Sequence, residues 1–195
     1  MRLNPILAGR RSVRAFSERP VSEEDLAALM EAVLWTPSSG NLQPWRFLAR
    51  SSENTRAELA PCLSRGNQWA LRAPLLLVLV TQMDWSTRAN GLDYALYDCG
   101  QAALALTFEA ETRGLRVHQI GGWIREPLIR TLRLPDSVTP VTVLAVGYEG
   151  NPESLDESLR QKEVRPRTRK LPTEIWAMNQ WPDAWGTGEA DVVRK

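Results

Sequence analysis

Residues 36–47 read TPSSGNLQPWRF, and the reading of the fold turns on this stretch. Upstream of it, Leu26, Leu29, Met30, Val33 and Leu34 recur at i, i+3, i+4, i+7 and i+8, the spacing of an amphipathic helix. Ser22 stands as the N-cap with Asp25 three residues on, and Val21 faces Leu26 as a hydrophobic staple. Pro37 closes that helix. Downstream, PWRFLAR reads as a half-buried strand. Between the two lie adjacent hydroxyls (Ser38, Ser39), Gly40, the side-chain amides of Asn41 and Gln43, and prolines at 37 and 44. A plain turn does not need so dense a set of donors and acceptors.

Working outward, SSENTRAELAPCLS (51–64) reads as a shorter capped helix and PLLLVLV (74–80) as a buried strand, far too short to span a bilayer. Leu92 to Arg113 form a long Ala- and Leu-rich helix, with Gly114 as its C-terminal cap. Its face of Cys99, Ala102, Ala103 and Leu106 lets a second helix approach closely. RVHQI reads as a strand, REPLIRTLRL as a helix ended by Pro135, and PVTVLAVGY as a last core strand. From Asn151 the chain turns polar and Pro-rich and ends in a Trp-containing tail. Helices and strands mix without strict βαβ alternation, so the expected class is α+β. No repeat or interdomain linker is visible, which predicts one domain over 1–195, with 179–195 as a C-terminal tail.

At 195 residues, 43% hydrophobic and 24% charged, the chain has the composition of a folded globular protein. Lys and Arg number 24 against 23 Asp and Glu, a net charge of +1, so no nucleic-acid partner is expected. Cys62 and Cys99 lie in no metal-ligand spacing, and the thiols need no role beyond packing. The start, MRLNPILAGRRS, has no apolar core of signal-peptide type, and the expected location is the cytoplasm, with no membrane partner. No GxGxxG or GxxxxGK[ST] is present, so neither a dinucleotide fold nor a P-loop is supported. The single histidine, His118, excludes a multi-histidine metal site, and no GxSxG accompanies it for a serine triad.

Two basic clusters carry more information. GRRSVRAF places Arg10, Arg11 and Arg14 around Ser12, and VRPRTRK places Arg165, Arg167, Arg169 and Lys170 near the other end. Brought together, they suit a compact dianion such as a phosphate monoester, because guanidinium forks match its geometry and Ser12 adds a hydroxyl. Left apart, they are two solvated surface patches. The 36–47 loop offers the mixed donors and acceptors a heteroaromatic edge requires, and Gly121-Gly122 offers backbone that a flat ring can approach. One terminal phosphate, a polar linker and a flat ring with amide edges describe flavin mononucleotide.

With these pieces in hand, the chain resembles the FMN-dependent nitroreductase family over nearly its whole length. RRSVRAF resembles the family's N-terminal phosphate motif, and PSSGNLQPWRF its most specific signature. DCGQAALALTFEAETRGL resembles the central helix, HQIGGW the turn at the flavin edge, and RPRTRK the C-terminal basic motif. The five stand in the family's order.

The resemblance implies an α+β three-layer sandwich, with a mostly antiparallel central sheet between flanking helices, assembled as an intertwined homodimer with FMN at the subunit interface. Arg10, Arg11, Ser12 and Arg14 would meet the phosphate and ribityl chain, and Arg167 and Arg169 would close on that phosphate. Pro37, Ser38, Ser39 and Asn41 would face the ring from the partner subunit, with Gln43 nearby. Asn67 would bind the ring. Gly121 and Gly122 would line its edge, with the Gly122 N–H toward N5, and Trp123 would line the substrate side.

No catalytic side chain is implied. The flavin would take hydride from NADH or NADPH and pass it to a small nitroaromatic, quinone or enone-like acceptor. Two departures from the family pattern stand out: Gly121 replaces a glutamate found in some members, and QMDWSTRANG is short where many nitroreductases carry a helical excursion. Other readings are a flavin store or sensor without turnover, a dehalogenating or flavin-destroying member, and a basic-patch interaction protein without flavin.

Overall fold

In the computed structural model, which describes residues 3–185, four strands form one antiparallel sheet. They are β1 (Trp45–Arg50), β2 (Leu75–Thr81), β5 (Leu115–Ile120) and β6 (Thr139–Tyr148), in the order β1-β2-β6-β5. A small ribbon of β3 (Arg88–Ala89) and β4 (Leu92–Asp93) lies outside it. The helices are α1 (Pro5–Gly9), α2 (Glu23–Leu34), α3 (Glu53–Ala57), α4 (Tyr94–Thr112), α5 (Arg125–Leu132) and α6 (Glu157–Val164). The chain divides into two compact units, one ending at Glu163 and the other beginning at Val164. Part of the expected 179–195 tail, from residue 186 on, lies outside the described residues.

The unbroken apolar run of β2 is explained by its place. It pairs with β1 on one side and β6 on the other, and every residue of it is buried. Its side chains alternate between two cores, as strand geometry requires. Leu75, Leu77 and Leu79 join Leu29 and Val33 of α2 and Cys99, Ala102, Ala103 and Leu106 of α4. Leu76, Val78 and Val80 join Val13, Phe16, Leu59, Trp69, Ile120 and Leu128 on the opposite face. The sheet is thus a middle layer covered on both faces, and the small residues of α4 let α2 pack against it as expected.

Local signals place the ends. Ser22 Oγ accepts from the Asp25 N–H at 3.0 Å, capping α2, and Asn4 caps α1 in the same way. Gly114 follows α4 with φ +71. Three details differ from the expectation. Leu34 is not on the core face but 66% exposed, because α2 ends there and its final residue falls past the covered stripe, beside the exposed Trp35. The predicted helix over 51–64 is regular only over Glu53–Ala57, then continues as a 3-10 turn at Ala60–Cys62 containing Pro61. Beyond Asn151, where no helix was expected, α6 forms from a charged, barely amphipathic stretch.

Candidate functional site

The first basic cluster follows α1. Arg10 Nη1 donates to Ser12 Oγ at 3.3 Å, while Arg11 Nη2 donates to the main-chain oxygen of Glu163 at 2.7 Å. The Glu163 carboxylate, 8% exposed, accepts the main-chain N–H groups of Arg14 and Ala15 at 2.7 and 3.0 Å. It also forms a 3.5 Å ion pair with the Arg14 guanidinium. This acid fixes the path of residues 10–15, and sequence reasoning missed it. Its only trace in the sequence is an acid at the head of a basic run.

The same segment is tied to the middle of β5. The Arg14 guanidinium lies 6.0 Å from the Trp69 ring centroid, and that ring lies 4.6 Å from His118. His118 Nδ1 sits 2.8 Å from Val13 O, so this nitrogen carries the proton and donates it. Burial holds the His118 pKa below its ordinary value, reinforced by Arg14, so the imidazole is neutral and serves as a strut. Burial pushes the neighbouring Glu111 carboxyl up, opposed by Arg116, whose Nη1 lies 2.7 Å away.

Past β5 the chain reaches Gly121-Gly122. Asn67, in the 3-10 stretch Arg65–Arg72, donates from Nδ2 to Ser64 Oγ at 2.9 Å and to Gly122 O at 3.1 Å. The Ser64 N–H donates to the same oxygen at 2.9 Å. A Cβ on Gly122 would fall 2.1 Å from Asn67 Nδ2, whereas one on Gly121 would meet nothing within 4 Å. Gly122 is therefore required by close approach from behind, and Gly121 presents bare backbone to open space. Asn67 spends both amide protons on this cradle, which leaves its Oδ1 as the acceptor it can offer a ligand. Trp123 bridges to Leu63, and its half-buried side chain packs on the core.

The 36–47 loop is strained and pinned. Gly40, Asn41 and Gln43 have φ of +59, +55 and +47. Ser38 Oγ accepts from the Gln43 N–H at 3.0 Å, and Gln43 Nε2 donates to Asn41 Oδ1 at 3.1 Å. Pro37 is exposed, and Ser39 lies against α4. Among the described residues, no hydrogen bond or ring contact joins this loop to Asn67 or Gly122 within the protomer. Arg167 and Arg169 belong to the second unit, where Arg169 Nη1 donates to Thr168 O at 2.7 Å.

The structure thus links the 10–15 segment to β5 through Trp69 and His118, builds the Asn67–Gly122 cradle just past that strand, and holds the 36–47 loop against α4. The donor set fits a ligand with a dianionic end and a flat, amide-edged ring: guanidinium and hydroxyl groups for the first, bare backbone and an amide oxygen for the second. Among the described residues no cluster of three or more His, Cys, Asp or Glu could hold a metal ion, and no helix is long and apolar enough to cross a membrane.

Comparison with known proteins agrees with this architecture. A solved oxidoreductase described as containing FMN matches with a TM-score of 0.82 at 27% identity, covering 93% of this chain and 94% of that one. The fold is nitroreductase-like. The profile of the nitroreductase family matches residues 7–68. An uncharacterised 15.4 kDa protein of Mycolicibacterium smegmatis, from the ask 5' region, is 31% identical over 134 residues, or 68% of this chain and 88% of the relative. The Bacillus subtilis (strain 168) protein named FMN reductase (NAD(P)H) is 29% identical over 175 residues, or 81% of this chain and 70% of the relative. The chain belongs to the nitroreductase family.

Proposed function

We propose that the protein is an FMN-dependent oxidoreductase that moves hydride from NADH or NADPH to a small oxidised acceptor of the nitroaromatic, quinone or enone class. The observation that supports this reading is the contact chain from Arg14 through Trp69 to His118, which ties the basic segment to the strand that runs into Gly121–Gly122. The relative named FMN reductase (NAD(P)H) supports both the cofactor and the donor.

Arg10, Arg11, Ser12 and Arg14 hold the phosphate end, and Arg167 and Arg169 are further candidates for it. Their positive charge offsets the dianion, while Glu163 keeps the segment in shape. Asn67 and the backbone of Gly121 and Gly122 orient the ring edge, with the Gly122 N–H as the donor toward it. Bound there, FMN supplies the hydride relay through N5, so the chain needs no general base or nucleophile. That agrees with a lone, neutral histidine used as a strut.

Pro37, Ser38, Ser39, Asn41 and Gln43 serve the ring of a partner subunit in a homodimer. Exposed Leu34, Trp35, Leu42, Leu92, Leu96 and Tyr97 support that assembly, since so many large apolar side chains at the end of α2, in the loop, on β4 and on α4 suit an interface. Trp123 and the short 82–91 segment are proposed for the acceptor side. The whole chain is read as one flavin-binding domain.

The test is an absorption spectrum of freshly purified protein, with the cofactor released by heat and identified. A flavin spectrum from FMN, bleached by NADH or NADPH and restored by an added quinone, is the expected result. Flavin that NAD(P)H leaves oxidised would make the protein a store or sensor. A colourless protein that fails to take up FMN would overturn the reading.

A further inference from the structure

Asp98, in the first turns of α4, has a carboxylate only 1% exposed, and among the described residues it forms no ion pair. Removing a carboxylate from water without a cation is costly. What offsets that cost here is hydrogen bonding from two separate segments. The Ser39 N–H donates to Oδ1 and Oδ2 at 3.2 and 3.3 Å, and the Ser86 hydroxyl donates to Oδ2 at 2.8 Å. The Ser39 and Thr87 hydroxyls bond to each other, which joins the same two segments a second time.

The loop that Ser39 belongs to needs such a fastening. Two of its non-glycine residues, Asn41 and Gln43, are in the left-handed region, and such backbone persists only where the surroundings over-determine it. Its ends are tied to the body by Thr36 Oγ1 to Ala32 O at 3.1 Å and by Thr81 Oγ1 to Pro44 O at 2.8 Å. The side-chain bonds of Ser38, Asn41 and Gln43 are internal to the loop, and Gln43 O accepts from Arg46 Nη1 at the start of β1 at 3.0 Å. Between its ends, the tie from the loop to the core helix is Asp98.

We propose that Asp98 is the positioning residue of the flavin-facing loop: through Ser39 it holds Ser38–Gln43 in the conformation that meets the ring, and through Ser86 it fixes the 82–91 segment beside that loop. This rests on the proposed flavin function and goes beyond it, because Asp98 touches no ligand and acts only by setting how much of the loop is competent to bind. If the loop loses its tie and only a tenth of molecules keep the competent conformation, apparent FMN affinity falls about tenfold with every ligand contact intact.

The experiment compares wild type, Asp98→Ala, Asp98→Asn and, as a control on the same helix, Thr107→Val, by FMN titration, thermal unfolding with and without FMN, and amide exchange over residues 36–44. Asn keeps an oxygen for the Ser39 N–H and an N–H for the Ser86 oxygen, so it should stay within about threefold of wild type while Ala loses at least about tenfold in FMN affinity. Exchange across 36–44 should rise in Asp98→Ala even without FMN. Thr107→Val should lower the melting temperature and leave FMN affinity unchanged. Faster loop exchange with unchanged FMN affinity would overturn the proposal, as would unchanged exchange. Equal melting-point losses with and without FMN in Asp98→Ala would reduce Asp98 to a purely structural role and overturn it as well. If wild type itself takes up no FMN, the flavin function falls and this proposal with it, an outcome separable from the others because it appears before any substitution.

Discussion

The Glu163 carboxylate receives the main-chain N–H of Arg14 at 2.7 Å, so an acid from the end of the first unit dictates the backbone of a basic segment almost 150 residues earlier. The same carboxylate receives the buried Ala15 N–H and faces the Arg14 guanidinium. Together these bonds convert a flexible run of arginines into a fixed array. Glu163→Ala would leave both N–H groups without their acceptor. The expected loss is about 2–6 kcal/mol, from about 1–3 kcal/mol for each of the two donors left unsatisfied. Urea unfolding checks it: the midpoint should fall with an unchanged slope. A loss under about 0.5 kcal/mol would show that water replaces the carboxylate at no cost.

The two adjacent glycines should respond differently. Gly122→Ala forces a methyl group to within 2.1 Å of Asn67 Nδ2, so Asn67 must leave Ser64 and Gly122 O or the backbone must shift. Overpacking of this kind costs about 1–3 kcal/mol. Gly121→Ala meets nothing within 4 Å and should cost little stability. Its effect should instead appear as weaker FMN uptake, because the added methyl group occupies the open side of the turn. Melting temperature and FMN titration separate the two, and equal stability losses would contradict the cradle.

Stability should fall as the pH falls through the histidine range. The folded His118 pKa is depressed below 6.5, chiefly by burial, while the unfolded chain takes up a proton near that ordinary value. Between the two values the unfolded state binds more protons, so unfolding is favoured as acid is added, by up to about 1.4 kcal/mol per pH unit. Above the ordinary value the two states carry the same charge at this site and the slope vanishes. His118→Asn keeps a donor for Val13 O and lacks the titration. The slope present in wild type below the ordinary value should be missing from the variant. Carboxylates common to both chains cancel in the comparison.

The middle layer and its two long helices were legible because their signals are local. The Ser22 cap and the spacing Leu26, Leu29, Met30 and Val33 define α2, and seven consecutive buried residues define β2. Gly40 and Asn41 announce a left-handed turn, whereas Gln43 does not, since nothing in a glutamine before proline favours positive φ. Arg133, left-handed at the end of α5, is similarly silent. Leu34 fits the helix period yet faces outward, because periodicity does not say where the last turn stops being covered. The residues proposed to face the ligand stand in sequence motifs. The acids that tie these segments down, Asp98 and Glu163, do not: each is a single acid with a partner roughly 60 or 150 positions away.

Riboflavin carries the ring and sugar alcohol of FMN without the phosphate, so it probes the ring site alone. If Arg10 and Arg14 each make one charge-assisted contact worth about 1.5–3 kcal/mol, the double variant Arg10→Ala, Arg14→Ala should bind FMN at least about a hundredfold more weakly. Its riboflavin affinity should stay within about threefold of wild type, because the Asn67–Gly122 cradle is untouched. The wild-type preference for FMN should also shrink at high salt, as expected for a partly exposed cationic site. An equal loss for both flavins would mean that the arginines act by shaping the fold through Glu163, and the phosphate would then have to be bound elsewhere.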